Sequence, residues 1–267
     1  MNYSGMVSKM MTTFESPIKY QLRLGSEIID MNALLGKQVT LTWLNEIRCM
    51  KCGNETSKSF AQGYCYSCFI SIPETEECVL NPELCRAHDG IARDMDWARE
   101  HCLQDHFVYL ALSSEVKVGV TRQSQVPTRW IDQGASKAIK LARTPNRYLA
   151  GLIEVELKQH LTDKTNWRSM LMNKVADHLS LKVEKERVAT LLSHDLSKFI
   201  TDDNTVFALD YPYLLIPQKV TSINLEKQPL NGTLNGIKGQ YLIFDQGNVV
   251  NVRKYGGYIV ELSYRCS

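Results

Sequence analysis

The amino-acid sequence predicts an α+β protein with a cysteine-rich N-terminal region, a central α/β unit and a β-rich C-terminal part. Short runs of alternating apolar and polar residues lie near both ends of the chain, which is typical of strands. Helical spacing of leucines begins only after residue 146, and cysteines and histidines cluster before the central unit. The predicted segments are 1–48, 49–106, 107–200 and 201–267, and strands of the last segment can pair with those of the first.

Length and composition favour a globular protein with an ample core. The chain has 267 residues, of which 44% are hydrophobic and 22% charged. It lacks the run of about 18 apolar residues that a membrane span requires, and "MNYSGMVSKMMTTFESP" lacks the apolar core of a signal peptide. We therefore expect a cytoplasmic protein with no membrane partner. In a reducing compartment the cysteines are not expected to form disulfides.

The first cysteine group has the pattern C-x2-C, twelve residues, C-x2-C, formed by Cys49, Cys52, Cys65 and Cys68. Each C-x2-C turn directs two thiolates to one point, and Gly53 suits such a turn. Two turns provide the tetrahedral sulfur set that structural zinc prefers. Four buried free thiols, a redox pair or an iron–sulfur cluster are the alternatives, and the doubled spacing favours zinc.

A second group of possible ligands follows in "CVLNPELCRAH" and "HCLQDH". Its members are Cys78, Cys85, His88, His101, Cys102 and His106. We expect a second zinc site made of the three cysteines with His88 or His106, the alternative being buried cysteines and surface histidines. Both sites are expected to be structural, since zinc binding worth about 10–16 kcal/mol can hold together a segment with little core. Cys266 has no partner in the sequence and is expected to be a free thiol.

The two ends of the chain are expected to be strand-rich. "KYQLRLGSEIIDMNALLGKQVTLTWLNEI" predicts two or three strands broken by Gly25 and Gly36, the last leading into the first cysteine pair. In the C-terminal part, "DQGN" and "YGGY" are interpreted as hairpin turns.

The central segment predicts alternating strands and helices. Strands are expected at 107–112 and 115–121, followed by a helix in "VPTRWIDQGA" and a third strand in "SKAIKLART". The leucine spacing after Asn146 is helical, and further helix is expected from about Asn166 to Phe199 with a break near Ser180.

Positive charge is concentrated in this central segment. Between Gln104 and Ala150 there are seven Lys or Arg residues against three acidic residues. Such an excess can bind phosphates, which supply most of the non-specific affinity for nucleic acid. A solvated basic face is the alternative.

The order strand, tight turn, strand, helix with an early Arg, third strand and helix with a carboxylate resembles the GIY-YIG nuclease fold. In that family the two strands carry Gly-Ile-Tyr and Tyr-Ile-Gly, and an Arg follows. A Glu on a later helix binds one divalent metal ion, and an Asn completes the set. Here the first motif corresponds to "FVY", which keeps Tyr109. The second corresponds to "KVG", which keeps Gly119 and has Lys117 in place of the Tyr.

The resemblance assigns roles to five residues. Tyr109 would act as a base or orient one, and Lys117 would act as a base or contact phosphate. Arg129 would clamp phosphate with its planar fork, and Glu154 would bind Mg²⁺ or Mn²⁺, with Asn166 completing the set. The missing Gly and Tyr bear on cleavage more than on fold.

A second resemblance covers nearly the whole chain. "YLALSSEVKVGVTR", "PTRWIDQGA", "GIKGQYLIFDQGNVVNVR" and the cysteine framework resemble a bacterial family labelled domain of unknown function 2797. Membership implies a zinc-binding region beside a central domain and implies no activity.

Together these features predict a zinc-stabilised nucleic-acid-binding protein whose nuclease-like domain has lost part of its motif. The alternatives are an active metal-dependent endonuclease using Tyr109, Arg129 and Glu154, and a protein-interaction module that binds no nucleic acid.

Overall fold

The structure, a computed structural model, describes residues 1–161, 166–176 and 179–265. The prediction for Cys266 lies outside the described residues. The chain forms two compact units: the first contains 1–70, 171–173 and 209–267, and the second contains 71–170 and 174–208. The division falls inside the predicted segment 49–106, so that the first cysteine group belongs to one unit and the second group to the other.

The elements are numbered in chain order. The strands are β1 (Asn2–Met6), β2 (Met11–Thr13), β3 (Lys19–Leu24), β4 (Glu27–Asp30), β5 (Gln38–Ile47), β6 (His106–Leu112), β7 (Val116–Arg122), β8 (Lys137–Thr144), β9 (Val206–Ala208), β10 (Thr221–Ser222), β11 (Leu230–Lys238), β12 (Tyr241–Phe244), β13 (Asn248–Asn251) and β14 (Tyr258–Tyr264). The α-helices are α1 (Tyr66–Ser71), α2 (Met95–His101), α3 (Thr128–Asp132), α4 (Arg147–Lys158), α5 (Trp167–Leu171), α6 (Leu181–Ala189) and α7 (His194–Ser197).

The first unit is built on a seven-stranded sheet that contains strands from both ends of the chain. Its order is β1-β14-β5-β11-β12-β13-β10, and β2, β3 and β4 form a second, three-stranded sheet. Along β3 the residues alternate between exposed and buried, as expected for a strand with one face on the core. The mixed α+β class and the β-rich C-terminal part are therefore as predicted.

One predicted hairpin in this unit is wrong. Strand β12 pairs with β13 across "DQGN", whereas "YGGY" precedes β14, which pairs with β1 and β5 instead of β13. Gly257 has a φ of +86°, and a Cβ atom there would lie 2.5 Å from the carbonyl oxygen of Arg48. The second glycine of "YGGY" therefore allows the backbone at residue 257 to lie close to the backbone at Arg48.

The second unit has a four-stranded antiparallel sheet of order β7-β6-β8-β9. Every residue of the central strand β6 is buried, because it has a neighbour on each side and both of its faces are covered. Helices α4 and α6 contribute Ile153, Leu157 and Val188 to the core that packs on this sheet. This arrangement places one side of α4 against the β6–β7 hairpin.

Local signals determine where two helices begin and end. The Asn146 side chain accepts a 3.0 Å hydrogen bond from the Leu149 backbone N–H, which caps α4. Trp130 of α3 is fully buried, and Gly134 follows that helix with a φ of +70° that glycine adopts without strain.

The described residues between Asn166 and Phe199 include three short helices, α5, α6 and α7. The Asn166 side chain accepts hydrogen bonds from the backbone N–H groups of Arg168 and Ser169 at the start of α5. Ser180 precedes α6, at the place where the break was expected. Within the described ranges, no helix is both long and apolar enough to cross a bilayer.

Candidate functional site

The first cysteine group brings four thiols together in the first unit. The sulfur atoms of Cys49, Cys52, Cys65 and Cys68 all lie within 4.8 Å of one another. The turn after Cys49 is closed by a 2.8 Å hydrogen bond from the Gly53 backbone N–H to the Cys49 carbonyl. This is the local geometry that the first C-x2-C pair predicts.

The backbone around Cys49 favours its thiolate form, whereas burial and the neighbouring thiols raise the pKa of Cys68 to about 12. Burial alone would raise the pKa of Cys49, but hydrogen bonds from the backbone N–H groups of Cys52, Cys65 and Lys51 outweigh burial and lower this pKa to about 6. Metal ions bind the thiolate form of cysteine, so the lowered pKa of Cys49 favours metal binding by this group.

The second cysteine group lies in the second unit and contains three thiols. Cys78, Cys85 and Cys102 are all buried, and their sulfur atoms lie within 4.8 Å of one another. Hydrogen bonds from the thiols of Cys102 and Cys78 lower the pKa of Cys85. Hydrogen bonds with the thiols of Cys102 and Cys85 raise the pKa of Cys78. Of these two cysteines, Cys85 therefore ionises more readily than Cys78.

Arg147, the first residue of α4, holds this group to the helix. Its guanidinium donates hydrogen bonds to the carbonyls of Cys78 (3.1 Å) and His101 (3.2 Å). Its backbone N–H donates to the Cys102 carbonyl at 2.8 Å. A buried guanidinium beside three thiols also offsets the negative charge that thiolates would carry.

Neither histidine predicted as a fourth ligand lies within 4.8 Å of all three thiols among the described residues. His88 stacks on Tyr148 with ring centroids 4.3 Å apart, and its Nε2 lies 3.5 Å from Asp89. His106 is buried, and its Nδ1 lies 2.7 Å from the Gln104 carbonyl. Only a protonated Nδ1 can donate to a carbonyl, so Nε2 carries the lone pair. Among the described residues, that buried Nε2 has no hydrogen-bond partner.

Both cysteine groups can hold a metal ion, and their chemistry suits zinc. Thiolate sets of this size are those of structural zinc sites. In the second group, the buried His106 Nε2 would join the three thiols at a metal ion only if the ring moved closer to them than it lies here.

A cleft of about 180 Å³ lies beside α4 in the second unit, and we call it the α4 cleft. Its polar and charged lining includes Tyr109, Lys117, Arg129, Gln133, Glu154 and Lys158. Four of these were predicted from the GIY-YIG resemblance. Strand register explains half of the convergence: Tyr109 of β6 is paired with Gly119 of β7, and Ala111 is paired with Lys117. These two register pairs lie on one face of the hairpin, so Tyr109 and Lys117 point to the same side.

The Tyr109 phenol is fixed inside the cleft wall. It is 1% exposed, and its hydroxyl donates a 2.7 Å hydrogen bond to Oε1 of Gln133. A Cβ atom on Gly119 would lie 2.6 Å from that hydroxyl, so the glycine makes room for the ring. Burial raises the pKa of Tyr109, and Arg129 opposes the rise only in part. The phenol therefore keeps its proton at neutral pH and orients neighbours instead of accepting a proton.

Glu154 is a largely buried carboxyl group, 8% exposed, on the cleft side of α4. Its Oε2 lies 3.5 Å from the Lys158 Nζ, one turn further along the helix. Burial raises the pKa of Glu154, and the Lys158 ammonium opposes the rise. Its partner in the structure is thus a cation of the same helix.

The other basic residues of the central segment do not contribute to the cleft. Lys140 pairs with Asp203 at 3.1 Å, and Arg143 pairs with Asp105. Arg147 is buried beside the second cysteine group. Positive charge at the cleft therefore comes from Lys117, Arg129 and Lys158, against the carboxyl group of Glu154.

Asn166, the fifth residue that the resemblance singled out, does not line the α4 cleft; its side chain caps α5. Sequence reasoning missed Gln133 and Lys158. The Glu154–Lys158 spacing of i,i+4 was a usable signal for Lys158. Sequence reasoning also missed the apolar wall of the cleft, which is formed by Val79, Leu80 and Pro82.

A larger groove of about 930 Å³ lies in the first unit. Its lining combines neutral amides and hydroxyls, such as those of Gln38, Thr40, Asn231 and Asn248, with Asp245 and Arg265. The side chains that the GIY-YIG resemblance singled out do not line this groove.

The fold and the two cysteine groups define an α+β protein with sites suited to structural metal ions. The chain belongs to the family described as "Protein of unknown function (DUF2797)", whose model matches residues 36–260. No curated protein and no solved structure matches it.

Proposed function

We propose that this is a zinc-stabilised nucleic-acid-binding protein that holds the phosphate backbone of DNA or RNA in the α4 cleft. One observation carries the proposal: Tyr109, Lys117, Arg129 and Glu154 come from four different elements and line one cleft. The likeness to the GIY-YIG fold is part of the proposal, and the antiparallel hairpin followed by α3, β8 and α4 supports it.

The charges of the cleft favour a phosphate ligand. Lys117, Arg129 and Lys158 provide three cations against one carboxyl group. The planar guanidinium of Arg129 can donate two parallel hydrogen bonds to phosphate oxygens, and the lysines act as point charges. Phosphate contacts of this kind supply affinity without base specificity.

Two observations favour binding over cleavage. The Glu154 carboxyl group is 8% exposed and already has the Lys158 ammonium as a partner. The Tyr109 phenol donates to Gln133 and keeps its proton. A group that activates water must accept a proton near the operating pH, and the Tyr109 phenol, whose pKa burial raises, does not meet that condition. The Glu154 carboxyl group faces Lys158, which leaves less of its charge for a divalent cation.

Hydrolysis is the second candidate, because a buried carboxyl group and a tyrosine share the cleft with an arginine. Mg²⁺ or Mn²⁺ held by Glu154 would neutralise the negative charge that develops on the phosphate during hydrolysis. Both functions can be tested with labelled single- and double-stranded DNA and RNA, with Mg²⁺, Mn²⁺ or EDTA.

The test compares wild-type protein with Arg129→Ala and Lys117→Ala, and uses Arg143→Ala as the matched control. Arg143 is an arginine of the same unit that pairs with Asp105 outside the cleft. We expect each cleft variant to weaken binding and to reduce the salt dependence of log K by about 1, the contribution of one phosphate contact. The control should retain both quantities.

The outcomes separate the candidates. Salt-sensitive binding that depends on Arg129 and proceeds without cleavage supports the proposal. Metal-dependent cleavage that is lost in Glu154→Gln establishes the second candidate. If wild-type protein neither binds nor cleaves any of the four substrates, the proposal fails and a protein partner becomes the next candidate.

A further inference from the structure

The segment between Cys78 and Cys85, which we call the clasped loop, has both ends in the second cysteine group. A short 3-10 turn, Glu77–Val79, spans its start, and a second, Pro82–Leu84, immediately precedes Cys85. The two cysteines at its ends are 5% and 3% exposed, and their thiols meet that of Cys102. The loop is therefore closed by its own thiols.

Helix α4 supports the clasped loop from the other side. A Cβ atom on Gly151 would lie 2.2 Å from the Glu83 backbone nitrogen and 2.4 Å from the Pro82 carbonyl carbon. Glycine is thus the residue that lets the loop backbone lie directly on the helix. Gly151 precedes Glu154 by three residues, so the loop touches α4 on the side that lines the cleft.

The loop gives the cleft an apolar wall. Val79, Leu80 and Pro82 line it, and the Leu80 side chain is 83% exposed at this position. Leu84 of the same loop is also exposed, at 49%, but does not line the cleft. The cationic side chains and the exposed leucine thus belong to one cavity.

We infer that the clasped loop is the base-contacting wall of the α4 cleft, with Leu80 packing against a nucleobase while Arg129 and Lys117 hold the adjoining phosphate. This rests on the proposed function. Nucleotides carry an apolar base face beside a charged phosphate, which matches an apolar wall beside cations. Leucine is among the side chains that nucleic-acid-binding proteins place against bases. The cysteine group, by closing the loop, positions Leu80.

The inference is tested by fluorescence anisotropy with a labelled 20-nucleotide single-stranded DNA and with the same strand made abasic. Leu80→Ala should weaken binding of the base-containing strand by about tenfold, the loss expected when most of one leucine contact is removed. Leu84→Ala is the matched control and should change affinity by less than about twofold. On the abasic strand, Leu80→Ala should bind like wild type.

A second measurement addresses the role of the cysteine group. Cys85→Ser should speed hydrogen exchange of the backbone amides of residues 79–81, 83 and 84, and Cys49→Ser, in the other unit, should not. Adding Leu80→Ala to Cys85→Ser should cost little further affinity, because the leucine is no longer held in place.

Two results would overturn the inference and leave the proposed function intact. One is equal affinity of the Leu80→Ala and Leu84→Ala variants for the base-containing strand while Arg129→Ala binds weakly. The other is an undiminished effect of Leu80→Ala on the abasic strand. Absence of binding by wild-type protein to single- and double-stranded DNA and RNA alike would instead remove the proposed function, and the inference with it.

Discussion

Gly151 of helix α4 and Glu83 of the clasped loop approach so closely that a Cβ atom on residue 151 would lie 2.2 Å from the Glu83 backbone nitrogen. The backbone of helix α4, which carries Glu154, therefore packs directly against the backbone of the loop that carries Leu80. This contact makes the shape of the α4 cleft depend on one glycine.

The first prediction concerns that glycine. In an exposed helix interior, replacing Gly by Ala gains about 1 kcal/mol. Here the added methyl group would meet the loop backbone, and overpacking of this kind costs about 1–3 kcal/mol. We expect Gly151→Ala to lower the free energy of unfolding, measured by urea denaturation at constant m-value. An unchanged or higher free energy of unfolding would show that the loop shifts at no cost.

The second prediction concerns metal content. Purified protein should contain two equivalents of zinc by elemental analysis, because each cysteine group suits one ion. Cys49→Ser and Cys85→Ser should each lose about one equivalent, and the double variant should lose both. Retention of both equivalents in Cys85→Ser would mean that the second group is not a metal site.

The third prediction distinguishes the two candidate fourth ligands. His106→Ala should lower occupancy of the second site, because the His106 Nε2 is buried, carries a lone pair and has no hydrogen-bond partner in the described part of the chain. His88→Ala is the matched control, since the His88 ring stacks on Tyr148 and its Nε2 faces Asp89. Zinc titration in competition with a chelator measures both affinities. Weaker binding in His88→Ala alone would reverse the assignment.

How far the sequence predicts the site depends on how local each contact is. The first cysteine group could be predicted because each C-x2-C pair closes its own turn, as the Gly53–Cys49 hydrogen bond shows. The convergence of Tyr109 and Lys117 follows from the register of one hairpin. These contacts lie within a few residues or across a single tight turn, where the pattern of residues is informative.

Other features could not be predicted because they depend on contacts distant in sequence. The loop wall of the cleft exists because Gly151 admits the backbone of Glu83, 68 residues earlier in the chain. Asn166 matched a motif spacing, but asparagine is also a favoured helix cap, and here it caps α5. Spacing alone could not choose between these two uses of the same residue type.

The fourth prediction concerns Tyr109. In Tyr109→Phe the Gln133 Oε1 loses its 2.7 Å hydrogen bond from the phenol, which should cost about 1 kcal/mol of stability. Because the hydroxyl proton is already donated to Gln133, nucleic-acid affinity should fall by less than in Arg129→Ala. Urea denaturation and anisotropy measure the two effects. A loss of affinity as large as that of Arg129→Ala would mean that the hydroxyl contacts the ligand directly.

The last prediction concerns pH and Glu154. Burial raises the pKa of this carboxyl group in the folded state above its ordinary value of 4.5. The folded protein therefore holds a proton that the unfolded chain has released, and stability falls as pH rises from about 4.5 through the folded-state pKa. Above that pH the carboxylate is charged in a buried site, which the Lys158 ammonium offsets only in part.

Glu154→Gln removes this proton linkage while retaining the size of the side chain. Its free energy of unfolding should exceed that of wild type at pH 7, and the difference should shrink as pH falls toward 4.5. Urea denaturation of both proteins at several pH values measures the difference, with Glu156→Gln as the control from the same helix. Glu156 accepts hydrogen bonds from the Ser193 backbone N–H and hydroxyl, so its loss should destabilise instead. If Glu154→Gln is less stable than wild type at pH 7, the Lys158 pair outweighs burial, and Glu154 is a stable carboxylate suited to a cation.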